Sequence, residues 1–190
     1  MTDRHLPRTV TALLSVLAAL ALTGCATAGG QVSQIASAPT VAAASASPSP
    51  DPAQAATAQI LAAYTGMRQA QEQAEAAGTT QNVSLSAYAG GKALVDIVSA
   101  VGEDAARDWV MVGIPLLDPK VTALDLNGTP PTATITDCMN VSGWHLVDQF
   151  TGKDVTAPAT HSSFLSVSQA QLGSDGWRIT QTEVNRSNPC

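Results

Sequence analysis

The side chains able to do chemistry are few. The chain of 190 residues has three cysteines and three histidines. Cys25 closes the run Leu22-Thr23-Gly24-Cys25, where small residues leave the backbone open to a peptidase and the thiolate is a group that can be alkylated. Cys138 and Cys190 lie in the second half of the chain. His145 and His161 are far apart in sequence, and neither has a Glu or His four residues on, as a helical zinc pair would require. They read as exposed strand histidines. Serines are abundant, but no Gly-x-Ser-x-Gly elbow occurs. Gly90-Gly91-Lys92 lacks the upstream glycine and the following Ser or Thr of a phosphate-binding loop. No metal or cofactor site is expected from these residues.

The N-terminus decides where those residues work. Arg4 and Arg8 precede an almost wholly apolar or small run from Val10 to Leu22, the layout of a secretory signal. The Leu22-Thr23-Gly24-Cys25 run resembles the lipobox of bacterial lipoproteins. That resemblance implies a signal peptide at 1–24, cleavage after Gly24 and a diacylglycerol thioether on Cys25. It also implies a lipid anchor on the extracytoplasmic face of the cell membrane. Two acyl chains on one residue suffice for stable anchoring. Loss of Asp3, Arg4 and Arg8 leaves an acidic chain that an anionic lipid surface would not attract, so the lipid must do the holding. Residues 25–54 then form a tether of Ala, Ser, Thr, Gly, Gln and Pro. Ser47-Pro48-Ser49-Pro50-Asp51-Pro52 is its clearest low-complexity piece, too polar to offset chain entropy by burial. As a coil such a tether spans about 30 Å, and in extended polyproline form about 90 Å.

The folded domain is expected over 55–190. The whole chain is 45 % hydrophobic and 13 % charged, with a net charge of −6, a balance that excludes a nucleic-acid binder built on a basic patch. Ile60, Tyr64, Met67, Gln71 and Ala74 recur at helical spacing, with Arg68, Glu72 and Glu75 off that stripe and Gly78 as its stop. A second helical region breaks near Gly90-Gly91 and buries Leu94, Ile97, Val98 and Val101. Six β-type runs follow, near Trp109–Leu117, Val121–Leu126, Ala133–Met139, Trp144–Phe150, Ser162–Gln171 and Trp177–Val184. Turn residues separate them. Leu165 and Val167 should point inward on the fifth, and Trp177 and Ile179 on the sixth. Helices followed by antiparallel strands make an α+β domain: N-terminal helices packed on a curved, mostly antiparallel sheet. In an oxidising compartment Cys138 and Cys190 are expected to form a disulfide, worth at most about 4 kcal/mol by the chain-entropy argument. Two free thiols or a metal site are the alternatives, and two cysteines without a nearby His pair make a poor zinc site.

The lipobox, the tether, Leu61-Ala62-Ala63-Tyr64, Gly113, Leu117-Asp118-Pro119-Lys120-Val121, Thr134-Ile135-Thr136-Asp137-Cys138, Gly176-Trp177-Arg178-Ile179 and the terminal Cys190 together resemble uncharacterised secreted actinobacterial lipoproteins. Their domain is similar to the nuclear-transport-factor-2-like (NTF2-like) or SnoaL-like cone. The resemblance implies a bent sheet wrapping helices around a conical cavity, and sheet-to-sheet homodimers are common in such families. It implies no activity, because the superfamily holds enzymes, binding domains and bare scaffolds. Its ketosteroid isomerases use a buried Asp base with a Tyr or protonated Asp on the oxyanion. The counterparts offered here are Asp96, Asp137 and Tyr64, at spacings that match no catalytic set of that family. The leading expectation is therefore a non-catalytic domain on a lipid anchor. Its partners would be the membrane through Cys25, a small hydrophobic ligand or an envelope protein, and no nucleic acid. A cavity enzyme and an accessory subunit of an envelope complex are the rivals.

Overall fold

The computed structural model describes residues 51–187 and 189–190. The signal peptide, Cys25 and the tether up to residue 50 lie outside the described residues.

Helix α1 runs Pro52–Ala77. Its start follows from local chemistry. Asp51 caps it by accepting the Ala53 N–H at 3.0 Å, and Pro52 fills the first helical position, where a missing N–H costs nothing. The helix thus begins inside the segment assigned to the tether. It ends where Gly78 takes a left-handed φ of 62°, and Thr79 N–H closes on Ala74 O at 3.1 Å, a conformation glycine adopts without steric cost. A short helix α2 (Leu85–Tyr88) and α3 (Gly91–Ala105) follow. No described helix is long and apolar enough to cross a membrane.

Six strands complete the α+β fold: β1 (Trp109–Gly113), β2 (Pro119–Asp125), β3 (Thr132–Asn140), β4 (Trp144–Asp148), β5 (Ser163–Gly173) and β6 (Gly176–Asn185). All pair antiparallel, four in the order β2-β3-β5-β6 and two as β1-β4. Gly113 ends β1 because its φ of +79° and the Gly143 carbonyl, 1.8 Å from where a Cβ would stand, exclude any side chain. The expected strand to Leu117 therefore stops at Gly113. A lone bridge between Leu116 and Asn140 ties the following segment to the large sheet.

The core lies between the helices and one face of the large sheet. Ile60, Tyr64, Met67 and Ala74 of α1 meet Ile135, Ala170, Trp177 and Ile179. Each large apolar side chain fully buried there contributes about 2 kcal/mol. Trp177 and Ile179 do face inward. Leu165 and Val167 do not. Strand pairing sets Asp137 opposite Ser166 and Cys138 opposite Leu165, so the face with Ile135 and Asp137 takes Phe164, Ser166, Ser168 and Ala170. The serines are tolerated inside because Ser166 Oγ accepts from Arg68 and Ser168 bonds Thr182. On α3 the buried residues are Ala93, Ile97 and Val101, while Val98 is exposed. On the sheet's outer face Cys138 is disulfide-bonded to Cys190, with Cα atoms 5.8 Å apart.

Candidate functional site

Two side chains expected off the apolar stripe of α1 are buried: Arg68, 4 % exposed, and Glu75, 9 % exposed. They belong to a polar row at positions 64, 68, 71 and 75, spaced so that 3.6 residues per turn stacks them on one side of the helix. Tyr64 Oη donates to Asp137 Oδ2 at 2.8 Å and accepts from Arg68 Nε at 3.0 Å. Arg68 Nη2 donates to Ser166 Oγ at 3.0 Å, and Nη1 to Gln71 Oε1 at 3.1 Å. Gln71 Nε2 donates to Glu75 Oε1 at 2.9 Å. The other Asp137 oxygen accepts the Asp118 N–H at 2.7 Å, which fastens the entry to β2.

Asp137 is therefore no edge carboxylate. It is 1 % exposed and faces the helices. Tyr64 and Asp137 meet, whereas Asp96 does not join them and pairs with Lys92 on α3. Burial pushes the Tyr64 phenol up to about 12, with Asp137 adding to the shift and Arg68 opposing it. The phenol keeps its proton and acts as a fixed donor to Asp137.

The row ends at a cavity of about 860 Å³, within the range of about 300–1,000 Å³ typical of small-molecule sites. Arg68, Gln71 and Glu75 of α1 and Ala100 and Asp104 of α3 form one wall. Met111, Trp144 and Leu146 of the small sheet form another, with Met139 and Phe164 of the large sheet at the back. The segment between β4 and β5 closes the remaining side through Thr156–Ser162. It is held there because Val155 N–H bonds Leu146 O at 2.9 Å and Leu146 N–H bonds Thr156 Oγ1 at 2.8 Å. His145 stands on β4 and bonds Asp154 through Nδ1 at 3.2 Å. His161 lies on that connecting segment rather than on a strand, and both histidines line the cavity. Neither Tyr64 nor Asp137 does.

At the end of the row one atom has no partner. Glu75 Oε2 is shielded from solvent and accepts no hydrogen bond. Burial pushes this carboxyl up from 4.5 to about 7, against the opposing pull of Gln71 and Arg68. Asp104 is likewise raised by burial. Sequence reasoning missed Arg68, Glu75 and Asp104 as site residues. The signal for the first two was present: Arg68 follows Tyr64 by one turn, and Glu75 follows Gln71 by one turn. Among the described residues no cluster of three His, Cys, Asp or Glu side chains could hold a metal ion.

No family model matches the chain, and no curated protein matches it. Among solved structures, the crystal structure of the intermembrane space region of chloroplast protein ARC6 is similar. It is 16 % identical, with a TM-score of 0.50 over 72 % of this chain and 98 % of that one. A likeness at that identity speaks to the α+β fold alone.

Proposed function

We propose that this chain is a lipid-anchored envelope protein whose folded part, an NTF2-like cone, binds a small, largely apolar molecule without transforming it. Cys25 carries the diacylglycerol, and the domain stands on the extracytoplasmic side of the membrane at the end of its tether. One observation supports ligand binding above the rivals: a cavity of about 860 Å³ between helices and sheets, where Met111, Met139, Trp144, Leu146 and Phe164 supply large apolar surface among polar and small side chains. Sites for small molecules have this composition, with a few polar groups fixing orientation. Against the enzyme reading, the Asp–Tyr pair that could act as base and oxyanion donor lies outside the cavity wall. Its oxygens are spent on Arg68 and on the Asp118 backbone.

Native mass spectrometry of the full chain released from lipid nanodiscs tests this. Ala100 is exposed on α3 and lines the cavity, so Ala100→Trp should fill the space and leave the core intact. A small-molecule adduct held by the wild-type protein and lost in Ala100→Trp is the expected result. A bare folded mass for both would overturn the reading. The denatured mass reports on the anchor: it should exceed the processed polypeptide by the mass of the lipid on Cys25.

A further inference from the structure

The charges around the cavity do not cancel where a ligand would end. Arg68 is the only cation on its helical wall, and its guanidinium is already committed to Tyr64, Gln71 and Ser166. Its charge is compensated from behind, through Tyr64, by Asp137. That leaves Glu75 from α1 and Asp104 from α3 on the same wall. Neither makes a salt bridge among the described residues. Arg186 lies across Phe164, 5.4 Å from the ring centroid, and His145 is engaged by Asp154. Glu75 is nine-tenths buried, and its second oxygen has no donor. A desolvated carboxylate oxygen without a partner is costly, and a donor brought in by a ligand removes that cost.

Building on the cavity reading above, we propose that the occupant is a cationic amphiphile. Its ammonium head pairs with the Glu75 carboxylate, whose side chain turns to bring Oε2 to the cavity, and is drawn by Asp104; its apolar body lies along Met139, Trp144 and Phe164. An ammonium serves this site better than a hydroxyl, because charge-assisted hydrogen bonds are roughly twice as strong as neutral ones. A carboxylate head would meet two like charges.

The test uses the full chain in lipid nanodiscs with its methionine methyl groups carbon-13 labelled. Met111 and Met139 line this cavity and Met67 does not, so Met67 is the internal control for unspecific effects. The probes are hexylammonium, hexan-1-ol and hexanoate. All should shift Met111 and Met139, with hexylammonium binding at least about tenfold tighter than hexan-1-ol and hexanoate weakest. Glu75→Gln should bring hexylammonium down to the level of hexan-1-ol and leave hexan-1-ol unchanged. Hexylammonium affinity should also rise between pH 6 and pH 8. Arg68 opposes the proton on Glu75, whereas Asp104 and Glu72 favour it, and a bound ammonium favours its release. Should Glu75→Gln fail to fold, Asp104→Asn, a change at a half-exposed position, and the pH series on the wild type carry the same test. Equal binding of the amine and the alcohol, unchanged by pH, would overturn the inference and leave the cavity reading standing. No shift at Met111 or Met139 with any probe would overturn both.

Discussion

Helix α1 carries two buried polar stretches that obey opposite rules. Around Tyr64 and Arg68 the side chains are matched: phenol to carboxylate, guanidinium to phenol, amide and hydroxyl. Two turns further on, Glu75 has one oxygen satisfied and one not. The first stretch lies against the sheet, where the serines and Asp137 of β5 and β3 are fixed in register. The second faces a cavity. A closed polar network rigidifies a core, whereas a half-satisfied one is unstable unless something else completes it. The contrast separates a residue set that holds the fold from one that awaits a partner, although both are buried and both lie on one helical row.

The largest effect should come from breaking the matched stretch. Asp137→Ala removes the acceptor of both Tyr64 Oη and Asp118 N–H and strands the Arg68 charge. Leaving a buried charge uncompensated costs about 3–5 kcal/mol. Urea unfolding should show a loss of that size. Tyr64→Phe, which keeps the ring and removes only the hydroxyl, should lose about 1–3 kcal/mol. A loss below about 1 kcal/mol for Asp137→Ala would mean that water completes the network and that the two stretches do not differ.

How much of this was legible beforehand depends on which period carried the information. The apolar repeat of α1 and its stop at Gly78 are local, and they read correctly; its start at Asp51-Pro52 was hidden in what read as tether. The six strands were legible from turn residues, with the ends of the first and fourth set by Gly113 and Asp148 rather than by hydrophobicity. The inward face of β5 was misread because Leu165 and Val167 alternate with Ser166 and Ser168, a local pattern that puts the apolar pair inward. Only its pairing with β3 decides, and that is a non-local fact. Burial of Arg68 and Glu75 was hidden for the same reason. A charged residue beside an apolar stripe reads as solvated until Ser166 and Asp137 arrive from strands distant in sequence. The meeting of Tyr64 with Asp137 was contemplated from the resemblance, but its place behind the cavity wall was not.

The unmatched stretch makes a pH signature. In the unfolded chain the Glu75 carboxyl releases its proton near 4.5, in the folded one near 7. Below pH 4.5 both states are protonated, and the group leaves stability unchanged. Between these values the unfolded state ionises first, so stability falls as pH rises. Above pH 7 the loss is constant, at about 3 kcal/mol. Glu75→Gln should flatten this part of the stability curve, leaving the protein less sensitive between pH 5 and pH 8 than the wild type. Thermal melts across that range are the measurement. Parallel curves for the two proteins would mean that Glu75 is as well compensated as Arg68. Added hexylammonium should reduce the wild-type slope as well, since it stabilises the ionised form.

The smallest effect falls on the carboxylate that lies in neither stretch. Asp96 pairs with Lys92 one turn away, with side chains 46 % and 61 % exposed. Exposed i,i+4 ion pairs are worth about 0.3–0.5 kcal/mol and fade with salt. Asp96→Asn should cost no more than that in urea unfolding, and nothing at high ionic strength. It should leave the Met111 and Met139 responses to hexylammonium unchanged, because Asp96 is not on the wall of that cavity. A weakened response would place Asp96 in the field felt by the ligand, through the small pocket that Ala100 shares between Met67 and the main cavity. The site would then extend along α3 rather than end at Asp104, and the boundary between matched and unmatched polar groups would run across two helices.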